Sequence, residues 1–459
     1  MNANALFAAL QCRRWFLITI GSPILIFGFI SLSIAEDATS LVFSRQDIDK
    51  TAPFLLDEKA ALTLRDAVQL ALQHNPELAA FAKEMGALEG VILQAGLLPN
   101  PQLLIDAEDV GTRPNSPGAR FGSIRISQLI EMGNKRAART NAASLGQERA
   151  GQDYETRRLD LIAQVANLFT DVLAGQQRLQ LADESLALAQ TVVDAVAKRV
   201  LSGKVPPIEE TRARVAFATT RIELEQARHN LEIARKQLAL LWGDPMPRFK
   251  HVLGDLESFV TIPEFDVLAE HLYSNPAALG SRLNLAQRKA LLGLQKAQRI
   301  PDITVMAGVR RFSTTEQQQR HDTTAVLGLS IPLPLFNRNQ GNLLEAHQRV
   351  NKAEDEWAAT DLRLRVLLVQ AYEALIAAHS QISMLREEIL PGAREASVTA
   401  RRGYELGRFG FLEMLDAQRT LFQNQTLYLQ ALANYQRLIN EIERLIAQPI
   451  DEASRQTIN

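Results

Sequence analysis

The chain has 459 residues, a formal net charge of −2 at pH 7, and a single cysteine. A near-neutral chain offers no basic surface for phosphates, which excludes a nucleic-acid-binding protein. Hydrophobic residues make up 46% of the sequence but aromatic residues only 6%, a composition typical of long helices packed along their length rather than of one thick globular core.

An apolar run near the N-terminus predicts an export signal. Arg13 and Arg14 precede this uncharged run, which ends in a small-x-small pattern at Ala35. The alternative is an uncleaved anchor, since about 20 apolar residues can span a bilayer. The small residues and a proline within the run favour cleavage, so we expect residues 1–35 to be a signal peptide. Cleavage would remove Cys12, and with it any disulfide or thiolate metal site.

Internal repetition predicts a duplicated half-molecule. An Asn-Pro pair at Asn75 recurs at Asn275, 200 positions later, and a glycine turn at Gly203 recurs at Gly407, 204 positions later. A period near 200 residues is far too long for a solenoid, whose repeats span about 20–50 residues. The expected organisation of the mature chain (36–459) is two structural repeats at about 61–242 and 264–447, joined by an equatorial linker at 243–263.

Period-two alternation predicts two strands in each half. In the first strand, for example, Leu103, Ile105 and Ala107 alternate with polar residues. Strands of about ten residues can cross a bilayer with tilt. Four strands cannot close a barrel, since the smallest outer-membrane barrels have about eight, so either the sheet is soluble or several chains share one barrel. The expected strands lie near 101–110, 121–131, 301–312 and 323–335.

Apolar residues spaced alternately by three and four predict long coiled-coil helices. The first extends from about Lys135 to Val200, which corresponds to roughly 100 Å at about 1.5 Å per residue. Its counterpart in the second half extends from Gln340 to Arg402. A soluble coiled-coil rod is the alternative, but a rod has no use for four bilayer-length strands. The export signal, the strands and the helices together favour a barrel shared by several chains.

Several motifs in one order resemble the TolC-like outer membrane factor family over nearly the whole mature chain. Two further stretches are more similar to the branch of that family that serves cobalt-zinc-cadmium exporters. The family motifs are Leu64-Arg65-Asp66-Ala67, Leu97-Leu98-Pro99-Asn100-Pro101, Tyr404-Glu405-Leu406-Gly407-Arg408 and Leu415-Asp416-Ala417-Gln418, and the branch motifs are residues 130–139 and 332–339.

The resemblance implies an α+β membrane protein of the cell outer membrane. It implies a homotrimer whose 12-stranded outer-membrane β-barrel, four strands per chain, continues as a long periplasmic α-helical coiled-coil barrel. The implied partners are outer-membrane lipid, a periplasmic adaptor (membrane fusion) protein and an inner-membrane RND transporter. The implied function is a passive channel for efflux of heavy-metal cations. The alternatives are a multidrug or type I secretion channel and, from another class, a structural coiled-coil scaffold of the envelope.

The resemblance also implies a periplasmic gate at the two glycine turns that join antiparallel helices. A basic residue expected two positions after the second glycine is Phe409 here, and the charge lies one position earlier. The alternative is that the acidic members only occupy first helical turns, where the helix dipole favours them. The implied gate residues are Glu209, Tyr404, Arg408, Glu413 and Asp416.

Two carboxylates on the first strand suggest how the channel selects charge. Because Ile105 and Ala107 belong to the apolar face, alternation places Asp106 and Glu108 on the opposite face, towards the lumen near the outer mouth. A trimer would then carry six carboxylates there, a ring that attracts cations most strongly at low salt. The alternative is that lumens are polar in any case and that these charges have no special role.

The sequence shows no pattern for catalysis or for a resident metal or cofactor. None of the seven histidines lies four residues from another, and there is no HExxH motif. The glycine-containing segment that begins at Met132 lacks the spacing of a phosphate-binding loop. We therefore expect no enzymatic activity, no metal site and no cofactor, even where metal ions are the cargo.

Overall fold

The computed structural model describes residues 61–108, 120–313 and 321–451. The predicted signal peptide at residues 1–35 lies outside these ranges. Within them, no helix combines the length and the apolar character needed to cross a membrane.

Each half of the chain contains the same order of elements: a two-residue strand, two helices, two longer strands, a very long helix and a shorter one. The first half comprises β1 (Leu62–Thr63), α1 (Leu64–His74), α2 (Pro76–Gly96), β2 (Gln102–Glu108), β3 (Arg120–Ile130), α3 (Lys135–Leu201) and α4 (Pro207–Leu240). The second half comprises β4 (Val252–Leu253), α5 (Phe265–His271), α6 (Pro276–Ala297), β5 (Ile303–Ser313), β6 (His321–Ser330), α7 (Gln340–Met384), α8 (Leu390–Glu405) and α9 (Phe411–Ile446).

The repeated asparagines perform the same task in both halves. Asn75 accepts a hydrogen bond from a backbone N–H in the first turn of α2, while its amide group donates to the Leu241 carbonyl at 2.9 Å. Asn275 likewise caps α6 and donates to the Leu445 carbonyl at 2.8 Å. An asparagine cap satisfies N–H groups that have no partner within the helix. In each half, one side chain therefore joins the start of an early helix to the end of the last one.

The four long strands form one antiparallel sheet in the order β2-β3-β5-β6. The centre of this sheet pairs the two halves, since β3 lies beside β5 from Arg120 opposite Ser313 to Ile130 opposite Ile303. The last strand is shorter than the prediction of 323–335, because β6 ends at Ser330. Two prolines follow shortly after it, and proline has no N–H to donate to a neighbouring strand.

The long helices pack through the predicted apolar seams. The 67 residues of α3 extend for roughly 100 Å. Leu368 and Leu375 of α7 belong to the same fully buried core cluster as Leu432, Tyr435 and Ile442 of α9. Burying a large apolar side chain stabilises a fold by about 1.5–3 kcal/mol, so this seam holds the helices of the second half together.

One feature of the second long helix is absent from the prediction. A single π turn, Leu385–Ile389, separates α7 from α8, and the helix then continues to Glu405 rather than ending at Arg402. Pro391 lies two residues after this turn and cannot donate a hydrogen bond to it. A π turn is a common way to accommodate such a missing hydrogen bond within a continuous helix.

The linker between the halves lies flat against the helices. Phe249 and Leu256 are buried, and the Gln176 amide of α3 both donates to and accepts from the backbone of Val252, at 3.1 and 2.8 Å. On the other side, the Tyr428 hydroxyl of α9 donates to the Glu257 carboxylate at 3.1 Å. The linker is thus attached to both long-helix pairs near the middle of their length.

Candidate gate and lumen face

The two glycine turns that join the long helices have the same backbone geometry. Gly203 and Gly407 have φ angles of +70° and +74°, in the left-handed region that favours glycine. After each glycine, an N–H group reaches back five residues, from Lys204 to the Arg199 carbonyl at 2.9 Å and from Arg408 to Gly403 at 2.8 Å. This is the hydrogen bond of a Schellman cap, which ends a helix and reverses the chain.

A cluster beside these turns brings together side chains from α3, α4, α8 and α9. Tyr404 is 4% exposed, and its hydroxyl donates to the Glu209 carboxylate at 3.0 Å. The Arg199 guanidinium lies 4.3 Å from the centre of the Tyr404 ring and donates to the Tyr404 carbonyl. Phe411 packs edge-on at 5.9 Å. One tyrosine therefore connects both helical hairpins of the chain.

The environment of Tyr404 keeps its hydroxyl protonated. Burial raises its pKa to about 12, and the hydrogen bond to Glu209 acts in the same direction, while the charge of Arg199 partly opposes them. A protonated phenol donates a hydrogen bond, and a carboxylate acceptor makes that bond stronger than a neutral one. The bond between Tyr404 and Glu209 is therefore available throughout the physiological pH range.

Within the described residues, the other predicted gate residues make no hydrogen bond or ion pair to Tyr404, Glu209 or Arg199. The Glu413 carboxylate accepts from the Gly410 N–H and caps α9, as the alternative interpretation expects. Arg408 and Asp416 are exposed, and their side chains have no partner within the described part of the chain. Arg199 was not predicted from the sequence, because a cation in the last turn of a helix is common and nothing in its spacing distinguishes it.

Phe409, found where the resemblance expects a basic residue, has a packing role. Its ring covers Gly403 so closely that a β-carbon at that glycine would lie 2.1 Å from a ring atom. The Phe409 ring therefore packs the turn against α8, and the neighbouring basic side chain, Arg408, is exposed to solvent. This departure changes the turn surface but leaves the contact between Tyr404 and Glu209 in place.

The sheet has one apolar and one polar face. Paired residues of adjacent strands share a face, so the register aligns Asp106 with Ser123 and Arg310 on the polar side. Asp106 forms an ion pair with Arg125, and Glu108 forms one with Arg310 at 3.3 Å. The negative charge of the two carboxylates is therefore partly compensated, because guanidinium groups from neighbouring strands lie on the same face, and the predicted lumen ring stays a prediction.

The motif at residues 130–139 fixes the transition from β3 to α3. Lys135 is 9% exposed and forms an ion pair with Asp302 at 2.6 Å, just before β5. Arg139 binds the Glu131 carboxylate at 2.7 Å and the Ala95 carbonyl at 2.8 Å. These bonds tie the strands of both halves to the start of the long helix. The motif is thus explained by the contacts of this junction.

Among the residues that the structure describes, no three His, Cys, Asp or Glu side chains are grouped closely enough to hold a metal ion. The candidate site consists instead of the turn cluster and the polar face of the sheet.

Comparison with known proteins decides the family. The profile described as "outer membrane efflux protein" matches residues 67–244 and 267–448. The chain is also 36% identical, over 91% of its length and 98% of the relative's, to the cobalt-zinc-cadmium resistance protein CzcC of Cupriavidus metallidurans. The chain belongs to the outer membrane efflux protein family. A more distant relative is the pyoverdine export outer membrane protein OpmQ of Pseudomonas putida, 26% identical over 80% of this chain and 82% of that protein.

Solved structures agree with the fold. Crystal structures of CusC superpose with a TM-score of 0.72 at 18% identity, covering 83% of this chain and 91% of that one. The predicted family, the fold class and the outer-membrane location are confirmed. The family consists of outer-membrane channels and not of enzymes.

Proposed function

We propose that this outer-membrane efflux protein is the passive exit channel of a tripartite pump that exports heavy-metal cations. The observation that carries the proposal is the 36% identity to the cobalt-zinc-cadmium resistance protein, which extends over nearly all of both chains. Such continuous similarity includes the strands, the long helices and both turns, so it concerns the whole transport path and not one shared motif.

The sheet supports assembly as a homotrimer. Its apolar face leaves Leu103, Ile105 and Leu327 between 66% and 83% exposed in the single chain. Leaving such side chains in water forgoes about 1.5–3 kcal/mol each, whereas a lipid environment accepts them. Within the chain, β2 and β6 are the edges of the sheet. Pairing β2 of one chain with β6 of the next, three times, closes a barrel of 12 strands and leaves no edge.

The long helices support the proposed partners. Since α3 extends for roughly 100 Å from the sheet, the glycine turns lie far from the outer membrane. A periplasmic adaptor and an inner-membrane RND transporter would meet the channel at that end. The channel has only to conduct, because the transporter would supply the energy.

The turn cluster supports a gate at this entrance. Tyr404 donates to Glu209 and stacks with Arg199, so the hairpin of α3 and α4 is held against the hairpin of α8 and α9. Opening by separation of the hairpins would break the hydrogen bond and expose the buried ring. Asp416 and Arg408 are exposed near the same turns, available for contacts to a neighbouring chain or an adaptor.

Export of an organic compound is the second candidate, because the similarity to a pyoverdine export protein extends over 80% of this chain. Cargo separates the two candidates. A metal channel should protect cells from cations, whereas a siderophore or drug channel should change tolerance or secretion of organic molecules without affecting metal resistance.

Gene deletion tests the proposal. The deletion strain and its complemented control would be grown on graded Co, Zn, Cd, Ni, Cu and Ag salts and on several antibiotics, with outer-membrane levels of the channel checked by immunoblot. We expect increased sensitivity to cobalt, zinc or cadmium that complementation restores. Unchanged metal tolerance with loss of antibiotic tolerance would contradict the metal cargo and favour the second candidate.

A further inference from the structure

The polar face of the sheet carries positive as well as negative side chains. Asp106 of β2 is bound by Arg125 of β3 and accepts from the Ser123 hydroxyl at 3.1 Å. Glu108 is bound by Arg310 at 3.3 Å, although β3 lies between their two strands. Together these side chains line a small polar cleft of about 80 Å³. The two arginines thus reach across strand boundaries to carboxylates on the first strand.

The register allows the charge on this face to be counted. Three carboxylates share it within the described residues, since Asp322 of β6 follows the same alternation as Asp106 and Glu108. Two guanidinium groups, Arg125 and Arg310, share it with them. On this face of the described strands, the balance is one negative charge per chain, where the carboxylates alone would give three. In the proposed trimer, the total falls from nine negative charges to three.

We propose that Arg125 and Arg310 set the ion selectivity of the strand-lined part of the lumen by cancelling most of the negative charge on the polar face of the sheet, so that divalent cations pass without being retained. The inference rests on the proposed metal-efflux function. Conduction requires binding that is strong enough to admit an ion and weak enough to release it. Clustered carboxylate oxygens bind divalent cations, and Zn²⁺ accepts Asp and Glu oxygens as ligands. Ion pairing with arginine occupies these oxygens, so the carboxylates no longer form a tight binding site for a divalent cation.

Electrostatic range supports action on the permeant ion. Charges exposed to water interact over a screening length of about 30 Å at 0.01 M salt and about 3 Å at 1 M. At low salt, a fixed charge on the lumen wall therefore acts across much of the pore. At high salt the same charge acts only on ions that touch it.

The chain provides a matched control on a single strand. Arg311 follows Arg310 directly, and alternation places it on the opposite face, where its side chain is exposed. Replacing either residue by glutamine removes one positive charge at nearly the same depth. Only the change at Arg310 alters the lumen.

Reversal potentials of the full-length channel in planar bilayers, across a KCl gradient at low salt, test the inference. We expect weak cation selectivity in the wild type, stronger cation selectivity in Arg125→Gln/Arg310→Gln, and a shift towards anions in Asp106→Asn/Glu108→Gln. The fourfold variant should return near the wild-type value, and Arg311→Gln should match the wild type. All differences should shrink at 1 M salt as screening shortens.

A second readout measures retention of divalent ions. Cd²⁺ or Zn²⁺ added at low concentration should block the K⁺ current of Arg125→Gln/Arg310→Gln and leave the wild-type and Arg311→Gln currents intact. Trimer mass in detergent would be measured for every variant, and the carboxylate variant keeps the test open where the arginine variant fails to assemble.

The outcomes separate the two proposals. A conducting wild type whose selectivity and Cd²⁺ sensitivity are unaffected by all four substitutions would overturn the role of the arginines and leave the channel function standing. Failure of both the wild type and the ungated Tyr404→Phe variant to pass current after insertion would overturn both.

Discussion

Removal of the Tyr404 hydroxyl group should favour opening of the channel entrance. In Tyr404→Phe, the aromatic ring remains to stack with Arg199 at 4.3 Å and to pack on Phe411 at 5.9 Å. Only the hydrogen bond to Glu209 is lost. The change therefore tests the bond itself, with little disturbance of the surrounding core.

The expected size of the effect follows from the burial of the bond. A hydrogen bond to a charged group stabilises by about 1.5–3 kcal/mol, and we take the lower end because Glu209 is only half-buried. Three such bonds, one per chain of the proposed trimer, give about 4.5 kcal/mol, or roughly a thousandfold change in the opening equilibrium. The open fraction of single channels in planar bilayers should rise accordingly. Adding Asp416→Ala should raise the mean conductance further.

Tyr428→Phe is the matched control. Tyr428 also donates to a glutamate, Glu257, at 3.1 Å, and burial likewise raises its pKa to about 12, but it fastens the linker rather than the entrance. We expect the open fraction of the Tyr428→Phe channel to equal that of the wild type. Equal opening in both variants would assign the effect to general loosening of the helices. No change in either variant, alone or with Asp416→Ala, would refute the gate.

Three further predictions concern the pH dependence of the gate, the assembly of the channel and the asparagine caps. Because the pKa of Tyr404 is raised from 10.0 to about 12, the closed state keeps its full advantage below pH 10 and loses it as pH rises towards 12. The wild-type channel should therefore open in that alkaline window, and a Tyr404→Phe channel should show no such transition. Native mass measurement in mild detergent should give three chains, and a stable monomer with a closed barrel would contradict the assembly. Asn75→Ala and Asn275→Ala should each lower the free energy of unfolding by about 0.5–2 kcal/mol, because each removes a helix cap. Asn424→Ala within α9 is the control and should not lower it, since alanine favours a helix interior. Equal melting temperatures for all three variants would refute the capping role.

Part of the candidate site could be anticipated from the sequence. The turns at Gly203 and Gly407 were placed correctly because only glycine readily adopts the left-handed backbone that ends a long helix and reverses the chain. Tyr404 and Glu209 were named through the resemblance, and the structure joins them by a hydrogen bond. Arg199 was missed, since its role depends on a ring 205 positions away that no local pattern connects to it.

Local patterns in the sequence are sufficient to predict the elements of this protein and the order in which they recur. Seam spacing specifies long helices, alternation specifies strands, and the two asparagine caps mark equivalent points of the two halves, because each of these signals is a local property of consecutive residues. The neighbours of each strand could not be predicted from such local patterns, because strand pairing joins residues that are far apart in the chain. Placing β5 beside β3 brings Arg310 within reach of Glu108, two residues separated by 202 positions. The charge of the lumen depends on that pairing, since side chains compensate each other only where the fold puts them on one face.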